Sequence, residues 1–238
     1  MALDGSGDYV EVLHDPALNP TGAFTIEAWV LHSSGGRCET IISKGLMRAY
    51  WLGFCSGTIR FYASGSGSSE NGNTAIPAEV WTHIAVVYEG SGRRYYINGE
   101  LDYTGGPELA PTTNTLPVFI GADPGGGTLY EFQGNIAEVR LWNVVRTQDE
   151  IRRTMHVALE EPLPGLVANW HLSDDYQDNI GSHDGARATP AWPASTVHTT
   201  SVRWFWPAHW IGQATLADGG RRSGWIAAPA ELRVSGER

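Results

Sequence analysis

Lysine is almost missing from this 238-residue chain; Lys44 is the only one. The 16 basic side chains are outnumbered by 26 acidic ones, for a net charge of −10. Such a balance gives a nucleic-acid partner little support, because neutralising phosphates requires a basic face. Long apolar runs are missing too: none approaches the ~20 residues of a membrane-spanning helix. No signal-peptide pattern is visible, since Met1 leads directly into the strand-like "MALDG". No N-x-S/T sequon free of proline occurs, so glycosylation gives no hint of compartment. G-x-S-x-G, H-E-x-x-H and C-x-x-C are also absent. His171 and His183 lie near Asp174, Asp175, Asp178 and Asp184 in the sequence, but without a recognised metal-ligand spacing.

What is present points to β structure. Hydrophobic residues make up 42% of the chain, enough for a large core, and 29 glycines and 13 prolines supply turns. "DYVEVL" alternates with period 2. In "AFTIEAWVLH", Phe24, Ile26, Ala28 and Val30 share one face and Thr25, Glu27, Trp29 and Leu31 the other. Bulk on both faces predicts a strand covered on both sides. Ser56-Gly57 and Asn98-Gly99 are two-residue hairpin signals. Residues 64–74, "SGSGSSENGNT", read as a flexible polar loop. In "NIAEVRL", Ile136, Glu138 and Arg140 are expected opposite in direction to Ala137, Val139 and Leu141.

The two cysteines flank "ETIISKGLMRAYWLGF". A hairpin pairing Ile41–Ser43 with Tyr50–Leu52 would set Cys38 opposite Cys55, in reach of a cross-strand disulfide. Two buried thiols are the alternative; an oxidised pair would favour an extracellular setting.

One helix is expected, across roughly 147–156. Thr147 is a good N-cap, and Glu150 three residues later completes a capping box. Ile151 and Met155 are four apart and share a helix face. About a dozen short strands without βαβ alternation predict an all-β, two-sheet antiparallel jelly-roll sandwich over residues 1–190. Residues 191–238 lack a dominant period and read as a C-terminal appendage. There Trp204, Trp206 and Trp210 either pack back on the sandwich or form a docking interface.

Six segments in one order carry a family resemblance: "LDGSGDYVEV" (3–12), "FTIEAWV" (24–30), "TIISKG" (40–45), "WTHIAVVYEGSGRRYYINGEL" (81–101), "VFIGAD" (118–123) and "FQGNIAEVRLWNVVRTQDEI" (132–151). Together they resemble the laminin G-like domains of the concanavalin A-like lectin/glucanase superfamily. "GLVANWHLSDDYQDNIGSHDGA" (165–186) resembles the segment that often follows. The resemblance implies two curved antiparallel sheets and a module that binds glycans or proteins. It also implies a structural calcium ion in many members and glycosidase activity in some wider relatives. The related glucanases use an E-x-D-x-x-E strand, because retaining hydrolysis needs two carboxylates about 5–5.5 Å apart. Here Glu100 and Asp102 start that pattern, but residue 105 is Gly. A non-catalytic module is therefore expected.

For calcium the resemblance singles out Asp4, Asp8, Gln133, Asn135 and Asp178, with turn capping the alternative for Asp4 and Asp8. Relatives often carry Asp where this chain has Ala137. Trp29, Trp81, Trp142 and Trp170 lie in strand patterns and are assigned to the core. Tyr50, Arg60, Tyr62, Tyr103 and Tyr130 are expected to be exposed and to bind ligand, since glycan sites combine aromatic faces with a few polar groups. The expected function is recognition of a glycan or surface protein, calcium-assisted, in an extracellular or cell-surface setting. The second reading is a structural or adaptor subunit of an extracellular, phage-like or injection-type assembly, docking through 191–238.

Overall fold

A computed structural model of the chain describes residues 1–33, 37–45, 48–63, 70–90, 92–106, 110–124, 130–173 and 175–188, and the backbone of 210–213 and 225–227. The strands are β1 (Ala2–Asp4), β2 (Tyr9–Val12), β3 (Phe24–His32), β4 (Glu39–Ser43), β5 (Trp51–Cys55), β6 (Thr58–Tyr62), β7 (Asn71–Ala75), β8 (Thr82–Tyr88), β9 (Arg93–Ile97), β10 (Glu100–Gly105), β11 (Val118–Ile120), β12 (Gln133–Trp142), β13 (Leu166–Trp170) and β14 (Gly185–Ala188). They form two antiparallel seven-stranded sheets. Sheet A runs β1-β12-β3-β8-β9-β10, with β13 sharing the β1 edge of β12; sheet B runs β14-β2-β11-β4-β5-β6-β7. This is the sandwich expected from the alternating patterns. Trp204 and Trp206 lie outside the described residues; Trp210 starts a short strand, Trp210–Gln213, paired with Trp225–Ala227.

The inner faces of the sheets meet in one core, with Phe24, Ile26, Ala28 and Val30 from β3 and Leu52 and Phe54 from β5. Ser56 and Gly57 both adopt positive φ (55° and 77°), as do Asn98 and Gly99 (49° and 77°). These are the left-handed pairs that let a two-residue turn follow the strand twist. At one long edge the sandwich closes through β7 and β10. The Asn73 amide N–H donates to Asp102 Oδ2 at 2.9 Å, and a Cβ at Gly72 would meet that same carboxylate at 2.6 Å.

Three local expectations need correction. Residues 71–74 of the expected loop belong to the edge strand β7, because β6 and Asp102 satisfy their backbone. In β4–β5, Glu39 and Thr40 pair with Phe54 and Gly53 as expected, but Ile42 and Ser43 pair with Leu52 and Trp51. Ile41 is thus an extra residue, a bulge that moves the hairpin register by one. In β12, Ala137 pairs with Trp29 and Arg140 with Glu27, so Glu138 and Val139 together face Ala28. Glu138 takes φ 51° there. The bulge sends Ile136, Val139 and Leu141 all to the core and Arg140 and Trp142 to the outer face.

The helix α1 (Gln148–Thr154) forms with its capping box intact: the Thr147 side chain accepts from the Glu150 N–H, and the Glu150 carboxylate accepts from the Thr147 N–H. It lies over the outer face of sheet A. Ile151 packs on Ala85, Val87 and Tyr96 of β8 and β9. Burying one such side chain contributes about 1.5–3 kcal/mol. Among the described residues no helix is long and apolar enough to cross a membrane.

Candidate functional site

The two outer faces decide where a site can be. On sheet A, polar groups are engaged by α1 and the segment after it. Trp29 Nε1 donates to Met155 O at 2.6 Å, and Arg140 donates to Thr154 O and Val157 O at 2.9 and 2.5 Å. Arg152 donates to Gly99 O and Glu100 Oε1, and Gln148 donates to Gly99 O. Beneath this cover Glu27 is fully buried, with His83 Nε2 3.3 Å from its Oε2. Burial works against its charge, but His83, Arg140 and Arg146 outweigh burial and hold its pKa below the usual carboxylate value. Glu100 and Asp102, the start of the incomplete glucanase pattern, are both engaged by protein groups: Arg152 at Glu100, Asn73 at Asp102.

Sheet B is different. Strand alternation turns Tyr50, Leu52 and Phe54 inward and Trp51 outward. The Trp51 ring lies flat over Gly53, where an added Cβ would come within 2.6 Å of two ring carbons. Trp51 Nε1 donates to Thr40 Oγ1 at 2.9 Å. Tyr62, directly across from Trp51 on β6, meets its ring edge-on at 5.6 Å between centroids; Tyr130 does so at 6.2 Å. Tyr130 is held at φ 40°, and its carbonyl accepts from the Thr40 N–H. A positive φ at a bulky residue is strained and persists only where its surroundings enforce it. Arg60, next to Tyr62 on the same outward face, donates from Nε to Asn71 Oδ1 at 2.7 Å.

Arg60, Tyr62 and Tyr130 are half-buried, whereas Trp51 is 1% exposed. Trp51 therefore acts as the wedge between two tyrosines rather than as a ligand platform itself. Among the described residues neither tyrosine hydroxyl has a hydrogen-bond partner, and Arg60 makes no bond beyond Nε. Aromatic faces, two free hydroxyls and a free guanidinium edge are the chemistry that holds a polar ring-shaped ligand.

Two of the expected ligand residues belong elsewhere. Tyr50 is fully buried, its ring 6.1 Å from Phe24; alternation with Leu52 puts it between the sheets, and burial raises its hydroxyl pKa strongly. Tyr103 stacks on Tyr95 at 5.2 Å, and its hydroxyl donates to Glu70, so it closes the β7–β10 edge. Trp51, central to the site, is not among the sequence candidates. Adjacent Tyr50 and Trp51 give no sign of which one faces outward until the partner strand fixes it.

The calcium candidates separate. Asp4 lies opposite Gln133, and Asn135, two residues on, lies opposite Ala2, so these three line one outer strip. Asp4 Oδ1 accepts from the Ser6 N–H at 2.8 Å, as a turn-capping carboxylate does. Asp8 pairs with Arg187 at 2.9 Å. Asp178 is buried and accepts from the Asn169, Ile180 and His183 N–H groups and faces His183 Nδ1 at 3.0 Å. No three His, Cys, Asp or Glu side chains among the described residues come together for a metal. Cys38 and Cys55 form a disulfide at the base of β4–β5. Lys44, the lone lysine, is buried between Leu116 O and His14 Nδ1, at 2.5 and 3.1 Å; burial pushes its pKa down to about 8.

Known proteins share this architecture. Among solved structures, a candidate carbohydrate binding protein of Bacteroides ovatus superimposes with a TM-score of 0.63 at 20% identity, over 80% of this chain and 60% of that one. The binding domain of Paraclostridial Mosquitocidal Protein 1 gives 0.50 at 13% identity, over 62% and 40%. In sequence, the chain is 30% identical to mouse Pappalysin-1 over 202 residues and 26% identical to human Pappalysin-1 over 198. It spans only 12% of the length of each of these relatives. The model of the Laminin_G_3 family matches residues 4–152, and the chain accordingly belongs to this family of the concanavalin A-like lectin/glucanases superfamily.

Proposed function

We propose that the chain is a non-catalytic glycan-binding module whose site is the outer face of sheet B around Tyr62, Tyr130 and Arg60. The observation that carries this is the pair of half-buried tyrosines packed against Trp51, whose hydroxyls, like the terminal nitrogens of Arg60 on the same outer face, have no hydrogen-bond partner among the described residues. Family membership and the carbohydrate-binding description of the B. ovatus structure agree with it. The disulfide fits an extracellular setting. A glycan array followed by calorimetry tests the reading. Tyr62→Ala is expected to weaken binding about ten-fold or more while leaving Tm nearly unchanged, since stacking and interface tyrosines carry about 1–2 kcal/mol. Undiminished binding by Tyr62→Ala would move the site elsewhere.

Calcium enters this proposal only at the strip of Asp4, Gln133 and Asn135, where a single carboxylate implies weak affinity. Thermal melts in calcium and in EGTA test it: a rise in Tm that Asp4→Asn removes supports the ion, and superimposable curves exclude it. The scaffold reading, in which 191–238 docks the sandwich into an assembly, is tested by deleting that segment. A soluble, folded remainder supports it, and unfolding or aggregation overturns it.

A further inference from the structure

We infer that the sheet B site selects acidic sugars, with a sugar carboxylate held end-on by the two terminal nitrogens of Arg60; the inference rests on the glycan-binding reading above. Most described arginines face a carboxylate, as Arg94 faces Glu89, Arg152 faces Glu100 and Arg187 faces Asp8. Arg60 does not. Its one partner is the neutral Asn71 amide, which takes Nε and thereby fixes the plane of the guanidinium.

The acidic groups nearest in the chain are turned away. Glu70, one residue before Asn71, accepts from Tyr103 and pairs with Arg93 at 3.4 Å on the inner side of the edge. Asp102 is held by Asn73. Among the described residues no carboxylate pairs with Arg60, which leaves a positive charge on the outer face beside Tyr62 in a chain of net charge −10. A general attraction for anions is absent, so a local fork must supply the recognition. Planar carboxylates match that fork with two parallel N–H···O bonds; Tyr62 follows Arg60 on the outward face of β6, and Tyr130 meets the same Trp51 ring, so the two tyrosines can receive the ring and its hydroxyls.

The test compares hyaluronan hexasaccharide, oligogalacturonate, alginate tetramer and sialyllactose with their carboxyl-reduced counterparts. Each is titrated against the full chain as wild type, Arg60→Gln, Arg60→Lys and Tyr62→Ala, with Tm as a check of folding. At least one carboxylated probe is expected to bind, with affinity about ten- to a hundred-fold lower for its reduced form and for Arg60→Gln. Arg60→Lys should retain part of the affinity, and added salt should weaken wild-type binding. Equal binding of carboxylated and reduced probes, lost in Tyr62→Ala but not in Arg60→Gln, would overturn the acid selectivity and leave the glycan site standing. Failure of every probe, acidic and neutral, would remove both readings.

Discussion

The two outer faces of this sandwich arise from the same strand alternation and end up chemically opposite. On sheet A the outward residues Glu27, Trp29, His83, Arg140 and Trp142 are large or charged, and α1 with the chain after it covers them. The Arg140 guanidinium reaches Glu138 at 2.8 Å and two backbone carbonyls, so the cover is fastened by charge as well as by Ile151. On sheet B the corresponding side chains are aromatic and polar with free hydrogen-bonding groups. A face sealed by its own chain contributes stability; a face left with unsatisfied donors has something to offer a ligand. The strand–helix stretch 132–155 thus serves to cover sheet A, and the proposed glycan site lies across the core from it.

The sharpest way to break this contrast is at Arg140. Arg140→Leu leaves Glu27 and Glu138 buried without their arginine and should cost about 3–5 kcal/mol in denaturant unfolding. The loss should stay with sheet A: at temperatures where the variant is folded, glycan affinity should match wild type. A change in affinity as large as the change in stability would show the faces to be coupled.

Removing the disulfide acts on the other side. Cys38 and Cys55 are 17 residues apart and tie β4 to β5, the strands that carry Thr40 and Trp51. Cys38→Ala with Cys55→Ala should cost about 3 kcal/mol by loop entropy, and here binding should weaken as well, because the Trp51 wedge loses its footing. Unchanged affinity would show that the tyrosines do not depend on the wedge.

A smaller perturbation lies between the faces. Glu39 is 1% exposed and directly opposite Phe54, whose ring is in the core. Burial pushes its pKa up to about 7, against the opposing pull of His32 and Arg37. The folded state then binds a proton that the unfolded chain releases near its ordinary value of 4.5. This contribution to stability is full below about pH 4.5 and is lost as pH rises through about 7. Denaturation midpoints measured from pH 4.5 to 8 should fall across that window in wild type, and Glu39→Gln should flatten the fall. An equal slope in the variant would assign the effect to other groups.

Much of the architecture is legible in the amino-acid sequence. The alternation in 24–31, the Ser56-Gly57 and Asn98-Gly99 turns and the Thr147–Glu150 capping box each depend on neighbours within a few residues, and each forms as its local pattern predicts. Of the five expected ligand residues, Tyr62 and Tyr130 meet the same Trp51 ring, and Arg60 shares the outward face of β6 with Tyr62. The rest depends on partners distant in sequence. Residues 71–75 have the composition of a loop because their strand is made by β6 and by Asp102 rather than by their own side chains.

The local chemistry of the chain alone thus determined a β-sandwich with one capped helix, deficient in cations and in catalytic motifs. Tertiary structure decided which side of each strand faces the core. The bulges at Ile41 and Glu138 shift the strand register by one residue, and in a period-2 pattern one residue exchanges inside for outside. Pairing with β6 likewise sends Trp51 outward and Tyr50 inward. Only then do Trp51, Tyr62, Tyr130 and Arg60 share the outer face on which the glycan site is proposed.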